Sequence, residues 1–403
     1  MFPAPPSELR ELHLVGVTGT NGKTTTAALV AAVLGERGAG EPVARVTTVG
    51  AFLDAERLDL PLDYAGMVEA LRRGRAAGGR HGVLEVTSES LARGFARTWP
   101  ITSAIFTNLT HDHLDAHGSP EHYFASKAQL FHFLPPDGLA VLNGCDAAAD
   151  LLRQVVPAGV AVITYGVPSR GAAALPLDVC AEDLQLDWAG TSVQCSVRPE
   201  ARGDVLPARF ELRVRALGDI YVENALAAIC CAVRRGVPLE RALGTLARLE
   251  PPPGRFEVVS RDPNVVVDYA HTPDALRRTL AVARALCRGR VHLVFGAGGQ
   301  RDRDKRPLMG AVAAAADVVH LTSDNPRGED PARIADDISR GFPPGLTVRR
   351  ELDRHQAIAR ALRECGPEDL LLIAGKGHET TQVLADRTLH FSDQETVRAL
   401  LAR

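Results

Sequence analysis

Lysine is scarce in this chain. Lysine and arginine together number 46 among 403 residues, yet only Lys23, Lys127, Lys305 and Lys376 are lysines. Such a preference for arginine is what a GC-rich coding bias produces. A lysine kept against it marks a place that needs a compact or neutralisable amine, which a guanidinium cannot supply. All four stand in Gly- or His-rich stretches. Other absences exclude whole classes. A net charge of −3 gives no footing for nucleic acid or an anionic membrane. The seven cysteines are odd in number and lack C-x-x-C spacing, which argues against a disulfide framework or zinc site and for a reducing cytoplasm. Met1-Phe2-Pro3-Ala4-Pro5-Pro6 has neither the basic nor the apolar part of a signal peptide. No apolar run reaches the length of a membrane span, and neither repeats nor a low-complexity tail occur. With 45% hydrophobic and 24% charged residues, the chain reads as a globular protein long enough for two or three domains.

What is present begins at Gly16-Val17-Thr18-Gly19-Thr20-Asn21-Gly22-Lys23-Thr24-Thr25-Thr26. The short apolar Glu11–Val15 before it reads as a buried strand, and Ala27–Leu34 after it as a helix stopped by Gly35. Strand, glycine-rich turn and helix form the setting of a phosphate-binding loop, although Val17 occupies the place of the usual first glycine. Backbone N–H groups of Gly19, Thr20, Asn21 and Gly22 would close around the phosphates, with Thr25 following on the helix. Lys23 would reach the terminal phosphates and the Thr24 hydroxyl would sit on Mg²⁺. The expected ligand is a nucleoside triphosphate.

Residues 1 to about 145 alternate strand and helix, the pattern of a parallel α/β sheet, with strands over Val83–Thr87 and Ser103–Thr107. A strand-rich part follows, including Ala161–Tyr165 and Arg209–Val214, with a surface loop over 166–176. Helices cover Asn224–Arg235 and the stretch from Leu239. Pro251-Pro252-Pro253-Gly254 breaks the chain, so domains are expected over 1–250 and 254–403. Beyond the break, strands at 265–268, 291–296, 317–321 and 370–374 alternate with helices in a Rossmann-like domain. The fold class is therefore α/β: a P-loop parallel-sheet ATPase domain with a small strand-rich part, then a Rossmann-like C-terminal domain.

Glu85 ends one strand, and Asn108-Leu109-Thr110-His111-Asp112-His113-Leu114-Asp115 follows the next. Carboxylates and imidazoles near a phosphate loop suggest hard-cation coordination, while Asp112 or Asp115 alone would serve as a helix cap. Lys127 lies in the helical stretch Tyr123–Phe131 among apolar neighbours. A lone helical lysine usually snorkels to water, but a partly buried one gives up its proton more easily.

These segments together resemble the Mur ligase family, whose ATP-dependent members build the peptidoglycan stem peptide. The resemblance extends through Gly254-Arg255-Phe256-Glu257, Asp268-Tyr269-Ala270-His271-Thr272-Pro273, Phe295–Asp302 with Lys305–Met309, Asp324-Asn325-Pro326-Arg327 and Gly375-Lys376-Gly377-His378-Glu379. The later motifs are similar to the type that adds the third residue, and the resemblance spans nearly the whole chain. It implies ATP and two Mg²⁺ as cofactors. By it Lys23 and Thr24 serve ATP and metal, Glu85 and His113 are metal ligands, and Lys127 is carbamylated by CO₂ to help hold the second Mg²⁺. Lys23, Lys127 and His113 would be the catalytic set. Asn224, Arg255, Asp268 and His271 would contact the nucleotide, with the two domains closing over it. Arg301, Asn325, Arg327, Gly375 and Glu379 would hold the incoming amino acid, with Arg327 favouring meso-diaminopimelate through its distal carboxylate.

Two departures stand out. The family's N-terminal UDP-binding domain has no counterpart before Gly16. Its acceptor-gripping segments are altered to Leu60-Pro61-Leu62-Asp63, Thr87-Ser88-Glu89 and Arg93 with Phe95. The partners expected are small molecules, a glutamyl-type acceptor and a diamino acid, with Ser88 and Arg93 on the acceptor. Either a separate chain supplies the UDP domain, or the acceptor is a glutamyl carboxylate without UDP. Two rivals remain: a folylpolyglutamate-synthase-like ligase, and a non-catalytic ATP-binding subunit. Asp324–Arg327 and Gly375–Glu379 disfavour the first, and intact Lys23, Glu85, His113 and Lys127 disfavour the second.

Overall fold

The computed structural model describes residues 2–35, 40–110, 119–168, 173–203 and 205–402. It divides into two compact units. One comprises residues 1–185, 189–215 and 219–249, and the other 186–188, 216–218 and 250–403.

The first unit is organised on a sheet whose centre is the strand His13–Thr18, paired in parallel with Ile101–Phe106 on one side and His81–Glu85 on the other. Leu14, Val15 and Val17 are fully buried because helices cover both faces of this sheet. Beyond His81–Glu85 come Val43–Thr47, then the antiparallel Gly50–Leu53 and Glu56–Leu58. Beyond Ile101–Phe106 come Leu139–Asn143 and Ala161–Gly166, both parallel. The strand-rich part does not stand apart: Val179–Asp187, Gly190–Val197 and Arg209–Val214 continue the same eleven-stranded sheet. Nor is 166–176 wholly a surface loop, since Val167 and Leu175 are buried. The helix Lys23–Leu34 is apolar nearly all round because it lies between the sheet and the helix Asp219–Arg234. The chain leaves His13–Thr18 in one direction and reaches its neighbours from both, which makes its carboxyl end a topological switch point.

The second unit has the strand order Glu257–Arg261, Asn264–Asp268, Leu370–Ala374, Val291–Phe295, Val318–Leu321, Thr347–Arg350. All neighbours are parallel except the first pair. Helices Pro273–Leu286, Lys305–Ala313 and Pro331–Ser339 bury one face, and Arg354–Glu364 and Asp393–Leu401 the other. Asp268, the 296–301 loop, the 322–327 loop and the 375–379 loop thus all leave carboxyl ends of neighbouring strands.

Candidate active site

The P-loop turns where only glycine fits. Gly22 has φ 82°, and a Cβ there would stand 2.6 Å from Asn224 Oδ1. A Cβ on Gly19 would stand 1.9 Å from Thr107 Oγ1. The loop is laced to the end of Ile101–Phe106: Asn21 N donates to Asn108 Oδ1 at 2.8 Å, and Thr107 Oγ1 to Asn21 O at 2.7 Å. Thr20 N donates to Asn108 O at 2.8 Å, and Thr20 Oγ1 lies 3.1 Å from the Tyr123 hydroxyl. Thr25 is buried on the first helical turn, and Thr26 Oγ1 donates to Asn224 Oδ1 at 3.0 Å. Asn224 thus supports the helix that follows the loop. A preshaped backbone cradle at a helix N-terminus fits a nucleotide triphosphate.

The hydroxyl of Thr24 donates to Glu85 Oε2 at 2.9 Å, bringing together two of the residues expected at the metal. The same oxygen accepts from Thr48 N and Thr48 Oγ1 at 3.1 and 3.2 Å. Thr48 is a contributor that the sequence reading missed; its only signal is a position just past a strand beside Glu85. His113 lies outside the described residues. Among those described, no group of three or more His, Cys, Asp and Glu is assembled for a metal.

Lys23 and Lys127 converge. Lys23 Nζ donates to Gly19 O at 3.1 Å and Thr20 O at 2.8 Å, and Lys127 Nζ donates to the same Gly19 O at 2.8 Å. Lys127 is buried, with its ammonium 4.4 Å from the Tyr123 ring centroid. Lys305 and Lys376 are buried too, so three of the four retained lysines are interior.

The two residues expected at the acceptor differ in setting. Ser88 is buried at the start of the short helix Ser88–Ala92, which Thr87 caps. Arg93 is exposed, its guanidinium 5.7 Å from the Phe2 ring centroid in an aromatic cluster with Tyr64, Phe95 and Trp99. Packing on Phe2 gives Arg93 a structural use that the sequence did not disclose.

In the C-terminal unit, Asp268 binds its own loops. Its Oδ2 accepts from Phe256 N at 2.7 Å, and its Oδ1 from Ala270 N at 2.6 Å and Thr279 Oγ1 at 3.1 Å. The Arg255 guanidinium lies 4.4 Å from the Tyr269 ring centroid, and His271 and His378 flank the same ring. Burial, then the nearby Arg255, pushes the His378 pKa down. A Cβ on Gly254 would stand 2.1 Å from His378 N, so these two loops touch backbone to backbone.

The expected amino-acid residues are brought together, with one addition. Asn325 Nδ2 donates to Glu379 Oε2 at 2.8 Å. Lys376, fully buried, donates to Asn325 Oδ1 at 3.3 Å, Glu379 Oε2 at 3.4 Å and Thr381 O at 2.5 Å. Gly375 has φ 116°, and a Cβ there would meet Asp324 Oδ2 at 2.6 Å. Burial raises the Asp324 pKa, against the lowering by Arg354 and Lys376. Arg327 takes φ 52° and donates through Nη1 to Gly299 O at 2.9 Å. A Cβ on Gly298 would lie 3.0 Å from that nitrogen and 3.8 Å from Arg301 Cγ, so both arginines border one loop.

A family model described as the Mur ligase middle domain matches residues 17–232, and one described as the Mur ligase glutamate ligase domain matches 254–377. The chain belongs to the Mur ligase family. It is an ATP-dependent ligase that forms carbon–nitrogen bonds, using ATP and Mg²⁺. This Mur ligase is 42% identical to the UDP-N-acetylmuramoyl-L-alanyl-D-glutamate–2,6-diaminopimelate ligase of Thermosynechococcus vestitus, over 97% of the chain and 77% of that relative. A solved ligase of the same name is 34% identical, covering 97% of this chain and 78% of its own, with TM-score 0.66. Folylpolyglutamate synthase from Mycobacterium tuberculosis superposes with TM-score 0.73 over 98% of this chain and 92% of its own, but at 18% identity it shares only the fold.

Proposed function

We propose that this Mur ligase is of the MurE type, joining meso-diaminopimelate to a glutamyl carboxylate through an acyl phosphate. The observation that carries the reading is the Asn325–Glu379–Lys376 network beside Arg327, in a chain 42% identical to a ligase named for diaminopimelate. Glu379 offers an acceptor for the ammonium of the incoming amino acid. Arg327, tethered by one nitrogen, presents the rest of its fork to a distal carboxylate. Lysine and ornithine lack that carboxylate. Losing one buried charge-assisted pair costs roughly 2–4 kcal/mol, enough to discriminate strongly.

In the first unit the P-loop backbone and Lys23 hold the phosphates, and Thr24, Glu85, His113 and Lys127 are the residues that would hold metal. Mg²⁺, when bound, neutralises charge on the transferring phosphoryl group. Thr48 fixes the Glu85 carboxylate for that task. Two ammonium groups sharing Gly19 O lie within about 6 Å of each other, where the pair term alone is a repulsion of about 3 kcal/mol at an effective dielectric near 20. A carbamate on Lys127 replaces that repulsion by attraction and adds an anionic oxygen donor, which supports the carbamylated form. Asn224, Arg255, Asp268 and His271 are read as nucleotide contacts, and Ser88 as the acceptor contact; Arg93 is the weaker candidate because of its place over Phe2.

No helix among the described residues is long and apolar enough to cross a membrane. ATP dependence and seven free thiols favour the cytoplasm. A separate chain carrying a UDP domain has no support, because in the Thermosynechococcus relative the matched 77% and the remainder are one chain. The test is selectivity. With Mg-ATP and UDP-N-acetylmuramoyl-L-alanyl-D-glutamate, meso-diaminopimelate should be ligated at least 30-fold more efficiently in kcat/KM than lysine, the ratio that about 2 kcal/mol gives. Equal use of lysine overturns the Arg327 reading.

A further inference from the structure

The edge of the first unit's sheet carries two arginines that the reading above leaves without a use. Arg45 on Val43–Thr47 is in register with Phe52 on Gly50–Leu53, and Phe52 with Arg57 on Glu56–Leu58. The Arg45 guanidinium carbon lies 4.0 Å from the Phe52 ring centroid. A Cβ on Gly50 would meet the ring at 3.0 Å and Arg57 Nε at 3.3 Å, so ring and Arg57 close over the same glycine. Along these strands Val46, Ala51, Leu53 and Leu58 pack in the cluster that includes Ala70 of the helix Tyr64–Ala76. The alternation of strand residues puts Arg45, Phe52 and Arg57 on the opposite face.

Neither arginine has an acid within ion-pair distance among the described residues, and Arg45 Nε is buried with no hydrogen-bond partner. Burial lowers the Arg45 pKa, and among the described residues no carboxylate opposes it. A half-buried guanidinium that no described residue pairs is costly. Stacking on Phe52 uses its face and leaves its in-plane donors available, the geometry that grips a carboxylate or phosphate. The position is informative. Two residues beyond Arg45 on the same face is Thr47, and the next, Thr48, holds Glu85. From the P-loop strand the order across the sheet is Glu85's strand, Arg45's strand, then Phe52's. The phosphates belong to the P-loop, and the amino-acid residues belong to the other unit. The substrate left for this edge is the acceptor.

We propose that Arg45, Phe52 and Arg57 form a subsite for an oxyanion of the acceptor, a phosphate or carboxylate other than the carboxylate being activated. The proposal rests on the ligase reading above for its substrate. Two measurements on the full chain decide it. In initial-rate assays Arg45→Gln should raise the acceptor KM ten- to a hundred-fold. KM values for ATP and diaminopimelate should stay within two-fold and the urea midpoint should be unchanged. Arg45→Lys, which keeps charge but not the stacked fork, should recover part of the loss, and Arg57→Gln should add to it. In calorimetry on enzyme saturated with Mg-AMP-PNP, so that the P-loop is filled, wild type should bind pyrophosphate or glutarate and the R45Q/R57Q chain neither. Preference for pyrophosphate identifies a phosphate group of the acceptor, and preference for glutarate a carboxylate. An acceptor KM unmoved by R45Q/R57Q, with anion binding absent or equal in both chains, overturns the subsite. If wild type makes no product with the muramyl acceptor, the ligase reading fails, while the anion titration, which needs no turnover, still decides the subsite.

Discussion

Replacing Lys376 by methionine removes a buried ammonium while keeping most of the side-chain volume. The ammonium's strongest contact is with Thr381 O at 2.5 Å, and it also serves Asn325 Oδ1 at 3.3 Å and Glu379 Oε2 at 3.4 Å. A hydrogen bond to a charged group is worth about 1.5–3 kcal/mol, and the carbonyl of Thr381 would be left without this donor. Glu379 is partly exposed, so its ion pair with Lys376 adds little. The expected loss is about 2–3 kcal/mol of stability, read as a lower urea midpoint at unchanged slope. Function should suffer selectively. Without Lys376, Asn325 and Glu379 lose their common anchor, and the KM for diaminopimelate should rise about tenfold, equivalent to about 1.4 kcal/mol. KM for ATP should not move. Lys376→Arg should not restore the wild-type value, because a planar fork does not fit a pocket closed around a single nitrogen. A diaminopimelate KM equal to wild type in the methionine variant would refute the reasoning, since it would mean that the network does not position the amino acid.

Other consequences follow from the same geometry. Lys127→Arg should be inactive, because a guanidinium cannot carry a carbamate; ¹³C-bicarbonate NMR should show a carbamate signal in wild type that the variant lacks, and an active Lys127→Arg chain would contradict this. Gly22→Ala should cost about 2–3 kcal/mol, combining strain at φ 82° with the disturbed Thr26–Asn224 hydrogen bond, and should weaken nucleotide binding measured by titration. The stacked pair His292 and His320 predicts a pH effect. Burial is the leading cause that depresses both, His320 to about 4. A base whose folded pKa is depressed stabilises the fold above its unfolded pKa near 6.5, and that stability is lost as pH falls towards the folded value. Urea midpoints should therefore drop between pH 6.5 and 4, and His320→Asn should flatten that dependence.

Much of this was legible in the sequence because the site is built from chain-local devices. A strand, a glycine turn and a helix write the P-loop into eleven consecutive residues, and the helix Lys23–Leu34 ends before Gly35 as its pattern demands. The carboxyl-end loops of the second unit are equally local, which is why Asn325, Gly375 and Glu379 could be named as candidates before their contacts were seen. What escaped the reading depends on pairing across strands. Thr48 acquires its role only because Val43–Thr47 lies beside His81–Glu85. Arg45 acquires a ring only through the register of a hairpin, and nothing in Val43-Ala44-Arg45-Val46 announces Phe52. The packing of Arg93 on Phe2 is equally invisible in the sequence, because residues far apart in the chain meet there. The scarce lysines sit mostly in the interior: three of the four are buried, Lys127 shares one carbonyl oxygen of the P-loop with Lys23, and Lys376 donates to Asn325 and Glu379.

The central claim is that this chain couples ATP cleavage to formation of one amide bond on a glutamyl carboxylate. The direct measurement is coupled-enzyme ADP release alongside mass spectrometry of the product. UDP-N-acetylmuramoyl-L-alanyl-D-glutamate and meso-diaminopimelate are supplied singly and together with Mg-ATP. The account predicts negligible steady ADP release with either substrate alone. With both, it predicts equimolar ADP and a product heavier than the acceptor by one diaminopimelate less one water. ADP release at the same rate without the amino acid, or a product lacking it, would contradict the claim.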